Sequence, residues 1–164
     1  MIEVIENFLS DEEAAFVSSI DIRKYGKNIF EIPQDSEVKV LRSNIKPYIQ
    51  TLVDKHNYPY SCGAELLRYR TGASSNVHID LSGSHCDSSG VYKRVTWTKT
   101  GIVILNTDFE GGELFFPNLN KSFGKEFKNA LILFPAGPDS DEFSHGVTEV
   151  TSGERYTLVF RFIE

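Results

Sequence analysis

The sequence Arg155-Tyr156-Thr157-Leu158-Val159-Phe160-Arg161-Phe162-Ile163 alternates between two sets of side chains near the end of the chain. Successive side chains of a β-strand point to opposite faces of the sheet. One face therefore carries the odd-numbered residues from Arg155 to Arg161, and the other carries the even-numbered residues from Tyr156 to Phe162. We expect the first face to look into the interior of a barrel and the aromatic face to pack against helices.

Short runs of β-branched and aromatic residues, separated by turn residues, extend this pattern over most of the chain. They give about seven or eight strands after a helical segment, which predicts a double-sheet barrel or jelly roll backed by helices. Between two of the runs, Ser82–Tyr92 is polar and rich in Gly and Ser, and we expect a loop that carries function. The runs are Ala64–Arg70, Val77–Leu81, Gly101–Asn106, Glu113–Phe116, Ala130–Phe134, Phe143–Glu149 and Arg155–Ile163.

The N-terminal third, to about residue 60, carries helical signals. Ser10 and Glu13 have the spacing of a capping box, in which each side chain bonds the backbone amide of the other residue. Phe16, Val17 and Ile20 follow and predict one apolar stripe on this first helix.

A second helix is predicted from about Glu37 to His56, because apolar residues recur there every three or four positions. Pro47 interrupts this segment and predicts a kink or a division into two short helices. The apolar residues are Val38, Leu41, Ile45, Ile49, Leu52 and Val53.

Size and composition limit the class of protein. A length of 164 residues fits one domain, so we expect a single domain over 1–164, with a helical part at about 1–60 and a jelly-roll core at about 64–163. The net charge of −6 disfavours a nucleic-acid partner, because such partners usually need a basic face. A local basic cluster stays open, formed from Arg68, Arg70, Lys93, Arg94 and Lys99.

The same composition bears on location. Cys62 and Cys86 give no disulfide framework, which favours a reducing interior such as the cytoplasm. No stretch approaches the roughly 20 apolar residues that cross a bilayer, so no membrane partner is expected. The acidic N-terminus lacks the basic flank and apolar core of a signal peptide. The sequence does not predict an oligomeric state.

Three residues have the chemistry of a metal site. His78 and Asp80 are two positions apart in a predicted strand, so their side chains share one face and can converge on a cation. A distant histidine, His145, would complete a facial triad of two His and one carboxylate, the ligand set of non-haem iron(II) oxygenases. The segment His85-Cys86-Asp87 has the same H-x-D spacing, but it lies in the polar stretch, and we favour the His78 pair.

The order of features around these residues carries a resemblance to a known family. Five features match in order: the segment 69–72 with Tyr69 nine positions before His78, the His78/Asp80 pair, the segment 109–117 with Gly111-Gly112, the apolar run 130–134, and Arg155 ten positions after His145. Over about residues 64–163 this order resembles the prolyl 4-hydroxylase-like 2-oxoglutarate/Fe(II)-dependent oxygenases.

The resemblance implies a double-stranded β-helix and an enzyme that uses iron(II), 2-oxoglutarate and dioxygen, and it leaves ascorbate open. It implies that His78, Asp80 and His145 hold the iron. Arg155 and Tyr69 would bind the far carboxylate of 2-oxoglutarate, since a guanidinium pairs with a carboxylate at two points. The implied reaction hydroxylates proline, or a nearby position, in a peptide or protein and converts 2-oxoglutarate to succinate and carbon dioxide.

Substrate recognition is less constrained by this resemblance. Arg94 and Trp97 are the residues we expect at the substrate mouth. Ser75 stands where the family often has a second tyrosine, and Arg161 where the final strand often ends in tryptophan. Both departures leave iron binding untouched and weaken the assignment of proline as the substrate.

Two alternatives stay open. The segment Arg155–Arg161 also resembles the R-x-N-x-T-x-R strand of oxidative demethylases of alkylated nucleic-acid bases, with Thr157 and Val159 in place of Asn and Thr. The alternative outside enzymes is a jelly-roll binding module that retains the motif without catalysis.

Overall fold

The computed structural model describes residues 1–20, 29–34, 37–56, 61–86 and 89–163. Within these ranges the chain is mostly β with few helices, as the strand pattern predicts. The helices are α1 (Asp11–Ser18) and α2 (Gln50–Lys55), with 3-10 helices at Lys46–Tyr48, Pro117–Leu119, Lys125–Phe127 and Asp141–Phe143. None of the helices in these ranges has the length and apolar character needed to traverse a membrane.

The strands of the described ranges run from one end of the chain to the other. They are β1 (Glu3–Ile5), β2 (Ile29–Gln34), β3 (Glu37–Asn44), β4 (Ser61–Tyr69), β5 (Ser75–His78), β6 (Ser82–Cys86), β7 (Tyr92–Thr96), β8 (Lys99–Ile104), β9 (Phe109–Gly111), β10 (Leu114–Phe116), β11 (Lys121–Phe123), β12 (Leu131–Pro135), β13 (His145–Val147), β14 (Val150–Gly153) and β15 (Arg155–Phe162).

Two sheets build the body of the fold. The larger has the order β1-β12-β8-β15-β4-β3-β2, and the smaller has the order β11-β10-β13-β5. Strands β14 and β9 form a separate pair, as do β6 and β7. One apolar cluster combines Ile102 and Val159 of the larger sheet with Phe116 and Val147 of the smaller sheet, so it lies between them.

A second apolar cluster lies on the other face of the larger sheet. Here Leu158 and Phe160 of β15 pack with Ala14 and Val17 of α1. Because Val159 belongs to the cluster between the sheets, the division of β15 into an inner face and a helix-facing aromatic face is confirmed.

Helix α1 begins as predicted. The Ser10 hydroxyl accepts a hydrogen bond from the Glu13 amide at 3.1 Å, and the Glu13 carboxylate accepts one from the Ser10 amide at 3.4 Å. Ala14 and Val17, three residues apart, set the buried face. The prediction that Phe16 shares this face is wrong, since its side chain points away and is 55% exposed.

The predicted second helix is wrong over residues 37–44, which form strand β3. The neighbours Val40 and Leu41 are both buried but belong to the two clusters on opposite faces of the larger sheet, which is the period of a strand. Antiparallel pairing with β4 supplies the backbone hydrogen bonds. Pro47 lies in the first turn of the 3-10 helix, where its missing N–H has no intrahelical partner to lose, and α2 follows.

Other boundaries also differ. The predicted loop Ser82–Tyr92 contributes a strand, because β6 pairs with β7 in an antiparallel hairpin. Residues 87–88 of that segment lie outside the described residues, as do 21–28, 35–36 and 57–60 of the predicted helical third. Strands β1, β2, β7, β9, β11 and β14 are absent from the prediction. Four of them, β1, β9, β11 and β14, have only three or four residues, which carry little periodicity.

Candidate metal centre and the cavities beside it

The pairing of β5 with β13 brings two histidines together. His78 lies directly opposite His145 in this antiparallel register, and their ring centroids are 4.6 Å apart. Asp80 lies two residues beyond the end of β5, so the prediction that it shares a strand with His78 is wrong. Its carboxylate nevertheless reaches both imidazoles.

The three side chains converge at one point. His78 Nε2 is 3.6 Å from Asp80 Oδ1, and His145 Nε2 is 3.7 Å from Asp80 Oδ2. All three ligand atoms lie within 4.8 Å of one another, and no other group of His, Cys, Asp and Glu in the described residues meets this condition. Two imidazoles and one carboxylate fit a first-row divalent ion such as iron(II) and leave coordination positions open.

Backbone carbonyls hold both rings in the ligating orientation. His78 Nδ1 lies 2.8 Å from the carbonyl oxygen of Asn76, and His145 Nδ1 lies 3.1 Å from that of Phe143. Each Nδ1–H therefore donates to a carbonyl, which turns each Nε2 toward the centre. This outer hydrogen bond is the usual partner of a metal-bound histidine.

The surroundings favour the ionised form of Asp80 and the neutral form of His145, which are the forms that bind a metal. Burial opposes ionisation of Asp80, but the hydrogen bond with His78 and the charges of Arg161 and His145 hold its pKa well below the usual range. Burial lowers the pKa of His145 to about 4, so this ring is neutral at physiological pH. The hydrogen bond with Asp80 raises the pKa of His78, whose side chain is 46% exposed.

Two further residues orient Asp80. The Thr100 hydroxyl donates to Asp80 Oδ2 at 2.8 Å, and Arg161 Nη2 lies 3.3 Å from Asp80 Oδ1. On the same strand, β8, Ile104 lies in the core between the sheets. Ile102 borders a small cavity that also contacts Arg155.

A small cavity connects the two histidines to a buried arginine. It measures about 50 Å³, room for a few water-sized groups. Its lining includes Arg155 and Tyr69, the two residues predicted to bind the cosubstrate, and Ser75, which replaces the second tyrosine of the family. The full lining is Leu67, Tyr69, Ser75, His78, Ile102, Leu114, His145, Val147, Arg155, Thr157, Val159 and Arg161.

Arg155 is a buried cation, and none of the described residues supplies an anion to match it. It is 1% exposed, and neither Nε nor Nη2 has a hydrogen-bond partner among the described residues. Its Nη1 donates to the Thr157 hydroxyl at 3.4 Å, and its guanidinium lies 5.2 Å from the ring centroid of Tyr69, its partner across β4 and β15. Burial lowers the pKa of Arg155 to about 10 and raises that of Tyr69, so at neutral pH a cation stands beside a neutral phenol.

The glycine pair leaves space for this arginine. Gly111 and Gly112 have φ of +70° and +63°, which confirms the predicted turn of positive φ before a strand. A Cβ on Gly112 would lie 2.9 Å from Arg155 Cδ and 3.0 Å from a methyl group of Val150. The turn therefore shapes the cavity without chemistry of its own.

A larger cavity of about 350 Å³ lies on the other side of Asp80. Trp97 borders it, with its indole against Gly83, where an added Cβ would lie 2.2 Å from the ring. Arg94 is exposed on β7, donates to the Ser82 hydroxyl at 3.2 Å, and is not part of this lining. The lining is Arg42, Asn44, Gly63, Glu65, Ile79, Asp80, Leu81, Ser82, Gly83, Ser84, Trp97 and Arg161.

Sequence reasoning missed Arg42 and Glu65 in this cavity, because β3 was predicted as a helix and only the β3–β4 pairing brings them close. The competing segment at His85 lies on β6 opposite Lys93, away from the triad. Its Asp87 lies outside the described residues, so the second H-x-D pair is described only in part.

Comparisons with known proteins agree with this geometry. No protein-family model matches the chain. It is 29% identical over 131 residues to a putative prolyl 4-hydroxylase of Acanthamoeba polyphaga mimivirus, an alignment that covers 73% of this chain and 53% of the relative. The chain thus spans about half the length of that curated relative.

Solved structures share the fold at low identity. A viral collagen prolyl hydroxylase from Paramecium bursaria Chlorella virus-1, in a 2-oxoglutarate complex, has a TM-score of 0.63 and 23% identity, covering 99% of this chain and 96% of its own. A Trichoplax adhaerens prolyl hydroxylase bound to a peptide of hypoxia inducible factor has a TM-score of 0.61 and 18% identity, covering 98% and 83%. The predicted resemblance to prolyl 4-hydroxylase-like 2-oxoglutarate/Fe(II) oxygenases is therefore confirmed.

Proposed function

We propose that this protein is a 2-oxoglutarate- and Fe(II)-dependent dioxygenase that hydroxylates a residue of a peptide or protein, with proline as the first candidate. We further propose that residues 1–164 act as one domain with a double-stranded β-helix core. One observation carries the proposal: a single cavity is lined by His78 and His145 and by the guanidinium of Arg155, which has no acidic partner among the described residues.

The roles of the residues follow from their positions. His78, Asp80 and His145 would hold iron(II), while the backbone carbonyls behind the rings and Thr100 behind the carboxylate fix their orientation. Bound iron supplies the centre at which dioxygen and 2-oxoglutarate react, with release of carbon dioxide and succinate.

The far end of the cavity suits a dicarboxylic acid. Arg155 offers a full charge and two nitrogen atoms, Nε and Nη2, that have no hydrogen-bond partner among the described residues. Tyr69 offers a neutral hydroxyl to the same carboxylate. The apolar walls at Leu67, Ile102 and Val159 would keep water away and strengthen this pairing. An anion at this place removes the cost of burying Arg155 alone.

The substrate enters from the exposed side of His78. Trp97 borders the larger cavity beside Asp80, which is where we place the substrate, and Arg94 stands on the hairpin at its rim. The names of the mimivirus relative and of the peptide-bound structure support a peptide or protein as substrate.

Anaerobic loading with iron(II) and 2-oxoglutarate tests the proposal directly. We expect a visible charge-transfer band from the chelated keto acid, and then succinate formation in air that proline-containing peptides stimulate more than methylated oligonucleotides. The protein without metal is the blank. Absence of the band would refute the proposed function, and stimulation by the oligonucleotides alone would favour the demethylase alternative.

A further inference from the structure

We propose that Thr100 is a positioning residue whose hydroxyl holds one carboxylate oxygen of Asp80 away from the metal, so that Asp80 binds iron(II) through its other oxygen alone. The inference rests on the proposed function, because it concerns how the iron of that function is held. Its support is the hydrogen bond between the two side chains, the fixed place of Thr100 in the larger sheet and the chemistry of a carboxylate ligand.

The side chain of Asp80 needs partners from other strands to fix its orientation. Asp80 lies beyond the end of β5, so strand pairing does not align its carboxylate. Its backbone carbonyl accepts a hydrogen bond from the Gly137 amide at 2.8 Å, which anchors the main chain but not the carboxylate. The orientation of the carboxylate therefore depends on the groups that contact its two oxygens.

Thr100 supplies the firmer of these contacts. Its hydroxyl donates to Asp80 Oδ2 at 2.8 Å, the usual length for such a bond, whereas Arg161 Nη2 lies 3.3 Å from Oδ1, just beyond the usual range. Thr100 is fully buried on β8, where it pairs with Phe134 of β12 on one side and with Arg161 of β15 on the other. A donor held between two neighbouring strands cannot follow the carboxylate to another orientation.

The hydroxyl of Thr100 has a single hydrogen to donate, and the structure commits it to Oδ2. Ile102 and Ile104 follow at alternate positions of β8 and belong to the apolar cluster between the sheets, so Thr100 brings a polar group to an apolar face. Valine would fill nearly the same volume at this position. The hydroxyl is therefore explained by its bond to Asp80 rather than by packing.

The number of oxygens that Asp80 gives to the metal decides how many coordination positions stay open. An octahedral ion bound by two imidazoles and one carboxylate oxygen keeps three positions. Chelation by 2-oxoglutarate uses two of these and leaves one for dioxygen. If both oxygens of Asp80 were bound, no position would remain beside the cosubstrate. Under the proposed function, the Thr100 hydroxyl preserves this last position.

The rival interpretation is a hydroxyl that only aligns a buried carboxylate. In that case its removal should weaken metal binding by about 10- to 100-fold, as for other residues behind a metal ligand, and the number of waters on the metal should not change. On our interpretation Oδ2 is released and turns to the metal. The second oxygen then takes the place of one water and compensates for the lost hydrogen bond.

Manganese(II) is the probe that tests the inference without turnover, because it speeds the relaxation of water protons in proportion to the number of waters that it holds. We expect about three such waters in the wild-type protein and about two in Thr100→Val, with Mn(II) affinities that differ by less than about threefold. Saturating 2-oxoglutarate should leave about one water in the wild-type protein and none in the variant.

Further variants assign the change to the hydroxyl. Thr100→Ser keeps the donor and should give the wild-type count of waters. Thr100→Ala removes the donor without adding a methyl group and should give the count of Thr100→Val. Thr98→Val is the matched control, because the Thr98 hydroxyl donates to the carbonyl of Phe162 at 3.4 Å and not to Asp80. It should keep the wild-type count and affinity.

The outcomes are distinct. About two waters on the metal in the wild-type protein would overturn the inference without any variant, because Asp80 would then bind through both oxygens despite Thr100. An unchanged count in Thr100→Val and Thr100→Ala, with or without weaker metal binding, would also overturn it. In these cases the binding of Mn(II) and 2-oxoglutarate leaves the proposed function standing. A wild-type protein that binds neither would overturn both.

Discussion

The two ends of strand β15 place an arginine on the same inner face in contrasting surroundings. Arg155, at one end, is buried beside Tyr69 and has no acidic partner among the described residues. Arg161, six residues on, contacts Asp80 of the candidate metal centre. A buried cation that the fold leaves unmatched indicates a ligand that supplies the anion, whereas a cation paired with a ligating carboxylate serves the metal and the space around it.

The cavities at these two ends differ accordingly. The one at Arg155 is about 50 Å³ and has mainly apolar walls beside the guanidinium. The one at Arg161 is about 350 Å³, near the lower end of ligand pockets, and is lined by charged and hydroxyl groups. Under the proposed function, the first cavity would hold the cosubstrate and the second would receive the substrate.

The largest expected effect comes from the centre between the cavities. Asp80→Ala removes the only carboxylate of the triad, so iron binding and succinate formation should both fall to background. Anaerobic iron titration and a succinate assay measure this. His85→Ala is the matched control and should keep both properties, since that ring lies on β6; loss of metal in the control would point to the other H-x-D segment.

The next largest effect separates the two arginines. Arg155→Met should raise the 2-oxoglutarate requirement by about 100-fold, since it removes charged hydrogen bonds to the cosubstrate. The same variant should stabilise the ligand-free protein by about 1–3 kcal/mol, because a buried charge without a partner is costly. Denaturant unfolding without ligand and 2-oxoglutarate titration measure the two effects. An unchanged requirement would remove the assigned role.

Arg161→Met should act in the opposite direction on stability. Asp80 would lose a cation, and the ligand-free protein should lose about 1–2 kcal/mol at pH 7, with about 10-fold weaker iron binding. The pKa of Asp80 lies below its unfolded value, so its stabilising contribution is present above about pH 4 and is lost at lower pH. The deficit of the variant should therefore shrink as pH falls below 4. A gain in stability, as expected for Arg155→Met, would erase the contrast between the two ends.

The positions of the two arginines and of the metal triad could be predicted from the sequence. Alternation along residues 155–162 identified the inner face with both arginines, and the spacing of His78, Asp80 and His145 singled out the residues that the structure brings together. These features are local, or they depend on one pairing, β5 with β13, in a register that the hydrophobic pattern constrains.

What sequence reasoning missed depends on long-range pairing. Burial at Leu41, Ile45 and Ile49 has helical spacing, and only the β3–β4 ladder shows that residues 37–44 are a strand. Since that strand carries Arg42, the larger cavity and its charge balance were not predictable. The roles of Arg94 and Trp97 remain predictions. Trp97 lies at that cavity, and Arg94 donates a hydrogen bond to Ser82, a residue of its lining.

The smallest expected effect tests how closely the turn at Gly112 fits the Arg155 end. Gly112→Ala should cost about 1–2 kcal/mol for a positive φ, and its methyl group would press on Arg155 Cδ and raise the 2-oxoglutarate requirement a few-fold. Gly90→Ala is the matched control, because Gly90 has φ of +80° but no atom of the described residues lies within 4 Å of its Cβ position. It should show the backbone cost alone. If both variants lose stability and neither changes the requirement, then the close approach of the turn to Arg155 does not shape the cosubstrate cavity, and the arginine is held by β4 and β15 alone.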